Sequence, residues 1–134
     1  MQLEAVREVL ENFDEVRLAY LFGSVAAGTA RPESDLDVAV TLIPGAGRVV
    51  VDRLIEALER VSGRTVDLVD LSLAPPLLAH EVVKLGKLIL NRDDAERVEF
   101  ETRAVARYLD TAHLRRVQHQ YLRERVEARG AAER

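Results

Sequence analysis

The 134-residue chain has no cysteine and no tryptophan, and only 4% of its residues are aromatic. Without cysteine, disulfides, thiolate zinc sites and cysteine nucleophiles are excluded. No apolar run approaches the ~20 residues that span a bilayer. The N-terminal Met1-Gln2-Leu3-Glu4-Ala5 lacks a basic stretch leading into an apolar one, so no signal peptide is expected. A soluble, cytoplasmic protein follows as the default. An excess of positive charge is also lacking. The net charge is −4, which argues against broad binding to nucleic acid. Lys84 and Lys87 are the only lysines among mostly arginine cations. The length suits one domain with a substantial core.

Against these absences stands one dense motif: Gly23-Ser24, ten residues, then Asp35-Leu36-Asp37. Glycine lets backbone approach a triphosphate closely, and the serine hydroxyl can meet a phosphate oxygen. Carboxylates at i and i+2 on a strand share a face and can share a divalent metal. The context fits. Val16 to Phe22 reads as a buried strand ahead of Ser24, and Leu36 to Leu42 as another. In the second, Leu36, Val38, Val40 and Leu42 face one way, with Asp35, Asp37, Ala39 and Thr41 opposite. This pattern fits metal-dependent nucleotidyl transfer.

The remaining pattern surrounds those strands. Leu3, Val6, Leu10 and Phe13 make residues 2–13 an amphipathic helix. Val25 to Ala27 reads as a helical turn broken at Gly28, followed by a loop held by Pro32. Val51, Leu54, Ile55, Leu58 and Val61 mark a helix that Gly63 terminates. Thr65 to Leu71 reads as a third strand. Ser72 is placed to cap the next segment, Pro75-Pro76 suits a first helical turn, and Gly86 ends that helix. Lys87 to Asn91 reads as a short last strand. From Asp93 the pattern is helical, with Val98, Val105, Tyr108, Leu109 and Ala112 on one face. The stripe slips near His113 and resumes at Leu114, Val117 and Tyr121, which predicts a bend or two packed helices. Gly130 to Arg134 is expected to fray.

A third carboxylate would complete a two-metal site. Asp67 and Asp70 are the candidates, and their odd separation points them to opposite faces. Asp67 is favoured because a mid-strand carboxylate is costly unless a cation balances it; Asp70, near the strand end, has other ways to be satisfied. Arg31 could touch a phosphate but reads more simply as a solvated loop residue. His80-Glu81-Val82-Val83-Lys84 begins like a zinc-protease helix and has lysine where the second histidine belongs. His113 and His119 read as solvated, and Tyr108 and Tyr121 as core or partner contacts.

The Gly23-Ser24…Asp35-Leu36-Asp37 signature resembles the nucleotidyltransferase superfamily that shares the DNA polymerase β catalytic fold. The short length resembles its minimal nucleotidyltransferase (MNT) branch. The tail, NRDDAERVEFETRAVARYLDTAHLRRVQHQYLRER, is similar to the C-terminal helical region of MNT antitoxins that pair with HEPN ribonuclease toxins. The resemblance implies an α/β (α+β) fold: a mixed sheet of about four strands flanked by helices, with a helical C-terminal tail. It implies a minimal core over residues 1–91 and an extension over 92–134 packed on the core or a partner. It also implies transfer of AMP from ATP to a tyrosine of a HEPN toxin, silencing it. Gly23 and Ser24 would then bind the triphosphate, and Asp35, Asp37 and Asp67 would hold Mg²⁺, two ions being expected. The alternatives are a non-catalytic antitoxin that acts by binding, and a small-molecule nucleotidyltransferase like those that modify aminoglycosides. The latter carry an added domain for which this chain has little room.

Overall fold

The computed structural model describes residues 3–132, with side chains through residue 128. Nine elements follow in order: α1 (Leu3–Glu11), β1 (Val16–Phe22), α2 (Gly23–Ala27), β2 (Leu36–Leu42), α3 (Gly47–Ser62), β3 (Val66–Asp70), α4 (Pro76–Leu85), β4 (Lys87–Asn91) and α5 (Asp94–Ala132). The four strands form one mixed sheet in the order β3-β2-β1-β4. β1 runs antiparallel to both β2 and β4, while β2 and β3 are parallel.

The alternation within the strands divides the interior into two layers. Leu36, Val38 and Val40 join Val6, Leu10, Leu54 and Leu58 from α1 and α3 on one face. Leu18, Tyr20 and Ala39 meet Ala79 and Val82 of α4 and Ala104 of α5 on the other. The motif carboxylates belong to this second face, opposite the main apolar row. Sequence punctuation sets the helix ends. Pro76 opens α4, Gly86 closes it, and Gly63 closes α3 in the left-handed conformation.

Three expectations are corrected. Ser72 does not cap α4, whose N-cap is Pro75. Its backbone N–H and its hydroxyl donate instead to Asp70 Oδ1, at 3.0 and 2.7 Å. α5 is one continuous helix with no break near His113. Its packed side carries Phe100 and Ala104, whereas Val98, Val105 and Leu109 remain 48%, 38% and 63% exposed. The helix has two apolar edges, and the slip in its stripe lies beyond Ala104, the last fully buried side chain of α5 among the described residues. Of the tail expected to fray, Gly130 to Ala132 is helical, while Glu133 and Arg134 lie outside the described residues.

Polar side chains join the distant segments. Arg17 pairs with Glu96 at 2.8 Å, and the buried Tyr20 hydroxyl donates to Glu101 at 2.7 Å. Burial, reinforced by that carboxylate, pushes the Tyr20 phenol well above its ordinary range. These two contacts set the direction of α5, which climbs alongside β1 toward the end that carries Gly23. Arg92 donates to the carbonyls of Leu10, Glu11, Phe13 and Val16. It thereby reaches the Glu11 carbonyl at the end of α1 and ties that end to the start of β1.

Candidate active site

β1 ends where β2 and β3 begin, so the motif collects on one edge of the sheet. Phe22 is the register partner of Asp37, and Asp37 is the register partner of Asp67. Adjacent strands lie about 4.8 Å apart. Residues paired in register share a face, so the Asp37 and Asp67 carboxylates stand side by side. Asp35 lies just outside β2 and, two residues before Asp37, returns to the same face. Asp37 is half-buried; Asp35 and Asp67 are exposed.

Gly23 follows directly after β1 with φ +72°. A β-carbon there would lie 3.1 Å from Asp37 Cγ and run into Asp37 Oδ2. Glycine is therefore required twice, by the left-handed backbone and by the carboxylate against it. Ser24 follows in α2, which Gly28 closes at φ +75°. The Gly-Ser turn and Asp37 are thus in contact.

The electrostatics are unbalanced. Burial first, then the charges of Asp67 and Asp35, raise the Asp37 carboxyl above the ordinary carboxylate range, and no positive group offsets them. Three like charges without a counter-ion do not draw together. Among the described residues, no three Asp, Glu, His or Cys side chains close into a ready-made ion cage. The donor set still fits a hard divalent cation, because carboxylate oxygens are its preferred ligands. The missing β-carbon of Gly23 also leaves room beside Asp37 Oδ2.

The register separates the two candidates for the third carboxylate. Asp70 pairs with Val40, which is buried on the opposite face, and its Oδ1 is engaged by Ser72. Asp67 lies beside Asp37. Burial is not what marks Asp67, because it is the second residue of β3 and exposed. Its neighbour in register, not its depth, distinguishes it.

Other singled-out residues lie elsewhere. The Arg31 side chain is exposed. His113 and His119 are exposed on α5, and Tyr121 is 56% exposed. Tyr108 is half-buried, with the His80 ring stacked on it at 3.8 Å and the Arg115 guanidinium 4.1 Å from its centroid. One residue near the site escaped sequence reasoning altogether. Arg64, between α3 and β3, donates to the carbonyls of Arg31 and Ser34, next to Asp35. A lone arginine after a helix-ending glycine carries no pattern that would reveal this.

Comparisons with known proteins agree with the geometry. The chain is 29% identical over 103 residues to the protein adenylyltransferase MntA of Shewanella oneidensis, spanning 77% of this chain and 73% of that protein. It superposes with a TM-score of 0.80 on a toxin–antitoxin structure with AMP-PNP, at 25% identity over 91% of this chain and 98% of the other. It shares its fold, with a TM-score of 0.72 and 24% identity over the same shares, with an MNT antitoxin in complex with a tri-AMPylated HEPN toxin of Shewanella oneidensis. The sequence model of the family described as Polymerase beta, Nucleotidyltransferase matches residues 4–95. That span contains the Gly-Ser turn, the paired strands and all three carboxylates, and the chain belongs to this nucleotidyltransferase family.

Proposed function

We propose that this chain is a protein adenylyltransferase that moves AMP from ATP onto a tyrosine of a HEPN-type ribonuclease partner and neutralises it as an antitoxin. The observation that carries the proposal is the contact between the left-handed Gly23 and Asp37, with Asp67 paired to Asp37 in register. That arrangement sets a phosphate-binding turn against a carboxylate group. The adenylyltransferase relative and the AMP-PNP-bound structure support AMP transfer, and the AMPylated HEPN toxin names the acceptor class to test.

Gly23 and Ser24 would hold the triphosphate through backbone N–H groups and the Ser24 hydroxyl. Asp35, Asp37 and Asp67 would hold Mg²⁺, which when bound would offset phosphate charge and lower the pKa of the attacking hydroxyl. The tyrosine oxygen attacks the α-phosphorus in line. The bond to the β-phosphate breaks, pyrophosphate leaves, and the phenolic proton passes to solvent. Positioning and charge neutralisation supply most of the acceleration in such transfers. In this reading residues 1–91 form the catalytic core and 92–134 an extension that meets the partner.

Intact mass of a HEPN protein encoded beside this chain, after incubation with the chain, ATP and Mg²⁺, tests the proposal. One or more added AMP masses are expected, and none with the Asp35→Ala, Asp37→Ala double variant. Tight co-purification without any mass gain would refute transfer and leave neutralisation by binding.

A further inference from the structure

Asp35 is the one motif carboxylate outside the sheet, so the strand ladder alone does not fix it. Its two peptide neighbours are both tied to the short segment that opens β3. On one side, Arg64 Nη1 donates to Ser34 O at 2.8 Å and to Arg31 O at 2.7 Å. On the other, the Leu36 N–H donates to Thr65 O at 2.9 Å. The loop holds itself only by a small turn, in which Ser34 N donates to Arg31 O at 3.0 Å and Arg31 N to Ser34 Oγ at 2.9 Å.

Arg64 is itself anchored. Gly63 caps α3, Arg64 N donates to Ser62 Oγ at 3.2 Å, and Val66 N donates to Glu59 Oε2 at 3.0 Å. The guanidinium therefore works from a fixed base two residues ahead of the strand that carries Asp67.

We propose that Arg64 is a positioning residue for the reaction: its guanidinium fixes the peptide that leads into Asp35 and thereby holds Asp35 on the face that carries Asp37 and Asp67. The inference rests on the metal-binding reading given under Proposed function. One side chain spans the two halves of the carboxylate group, because the segment that carries it also begins β3. Arginine suits this position because it is permanently charged and its planar fork holds a fixed direction while one nitrogen serves two carbonyls. A lysine ammonium could keep part of this arrangement. Alanine keeps none.

The test compares the full-length wild type with Arg64→Ala, Arg64→Lys and Asp35→Asn. Amide exchange reports loop order, and Mn²⁺ titration followed by electron paramagnetic resonance reports the carboxylate site. In Arg64→Ala, the amides of residues 31 and 33–36 should exchange at least about fivefold faster, with those of Val38 and Val40 unchanged. Mn²⁺ affinity should fall by about fivefold or more, and Arg64→Lys should recover part of both losses. Asp35→Asn should lose Mn²⁺ affinity with the loop still ordered. Unchanged loop exchange in Arg64→Ala would overturn the proposal. So would faster exchange with wild-type Mn²⁺ affinity, which would make Arg64 a loop staple only. A wild type that binds no Mn²⁺ would overturn the metal reading itself, and this inference with it.

Discussion

Replacing Gly23 by alanine separates stability from activity in a way that the geometry fixes beforehand. Holding an L-residue in the left-handed conformation costs roughly 1–2 kcal/mol. For a chain of this length that lowers Tm by roughly 4–7 °C. The methyl group also meets Asp37 Oδ2, and the half-buried carboxylate can swing aside at little further cost in stability. That swing takes it away from Asp35 and Asp67, so AMP transfer should fall by ~10²-fold or more, about 2.7 kcal/mol of transition-state stabilisation. Gly45 supplies the control. It has φ +79°, nothing within 4 Å of an added β-carbon, and a place at the opposite end of the sheet. Gly45→Ala should therefore lose a similar amount of Tm and keep its activity. Melting by circular dichroism and initial transfer rates at 25 °C read both quantities. If Gly23→Ala kept more than about a tenth of wild-type activity, or Gly45→Ala lost as much, the argument from contact with Asp37 would be wrong.

Three further outcomes follow from named contacts. Because the folded protein holds the Asp37 proton more tightly than the unfolded chain does, stability declines as pH rises through the ordinary carboxylate range toward the raised value. Asp37→Asn should thus melt higher than wild type at neutral pH while losing transfer, and the melting difference should vanish below about pH 4. Asp67→Asn should cut transfer by ~10²-fold, whereas Asp70→Asn, whose partner is Ser72, should stay within about threefold of wild type; the reverse order would refute the assignment by register. Arg92→Ala removes a donor from four carbonyls, of which those of Leu10 and Phe13 keep a backbone N–H, and should destabilise the fold by roughly 1–3 kcal/mol in urea melts, with transfer by the remaining folded fraction unaffected.

The parts legible in the sequence are those governed by local rules. Alternation in Leu36 to Leu42 gave the two faces of β2, and Gly63, Pro76 and Gly86 gave the helix ends. The odd spacing of Asp67 and Asp70 gave their opposite faces but not which one joins Asp37, because that depends on the register between β2 and β3. Ser72 has the residue type of a cap, yet its short-range bond to Asp70 prevails, a competition that sequence cannot arbitrate. Arg17 with Glu96, and Arg92 with α1, join positions 79 and 81 residues apart and follow no spacing rule. Periodicity also could not choose the buried edge of α5, since either of its two apolar edges would satisfy a helical pattern.

The length of α5 makes it two thermodynamic objects in one rod. Up to Tyr108, whose ring stacks on His80, its residues pack on α4 and tie to β1, so this part melts with the sheet. From Glu101 onward about 45 Å of helix remains, far more than the two residues of β1 beyond Tyr20. The part beyond Tyr108 therefore passes the edge of the sheet that carries Gly23 and keeps its form on its own hydrogen bonds and on pairs such as Gln120 with Glu124. A lone helix of this size is marginal in water. A protein that lies along it would supply what the core supplies to the first half, so the order of the distal rod would gauge whether such a partner is in place.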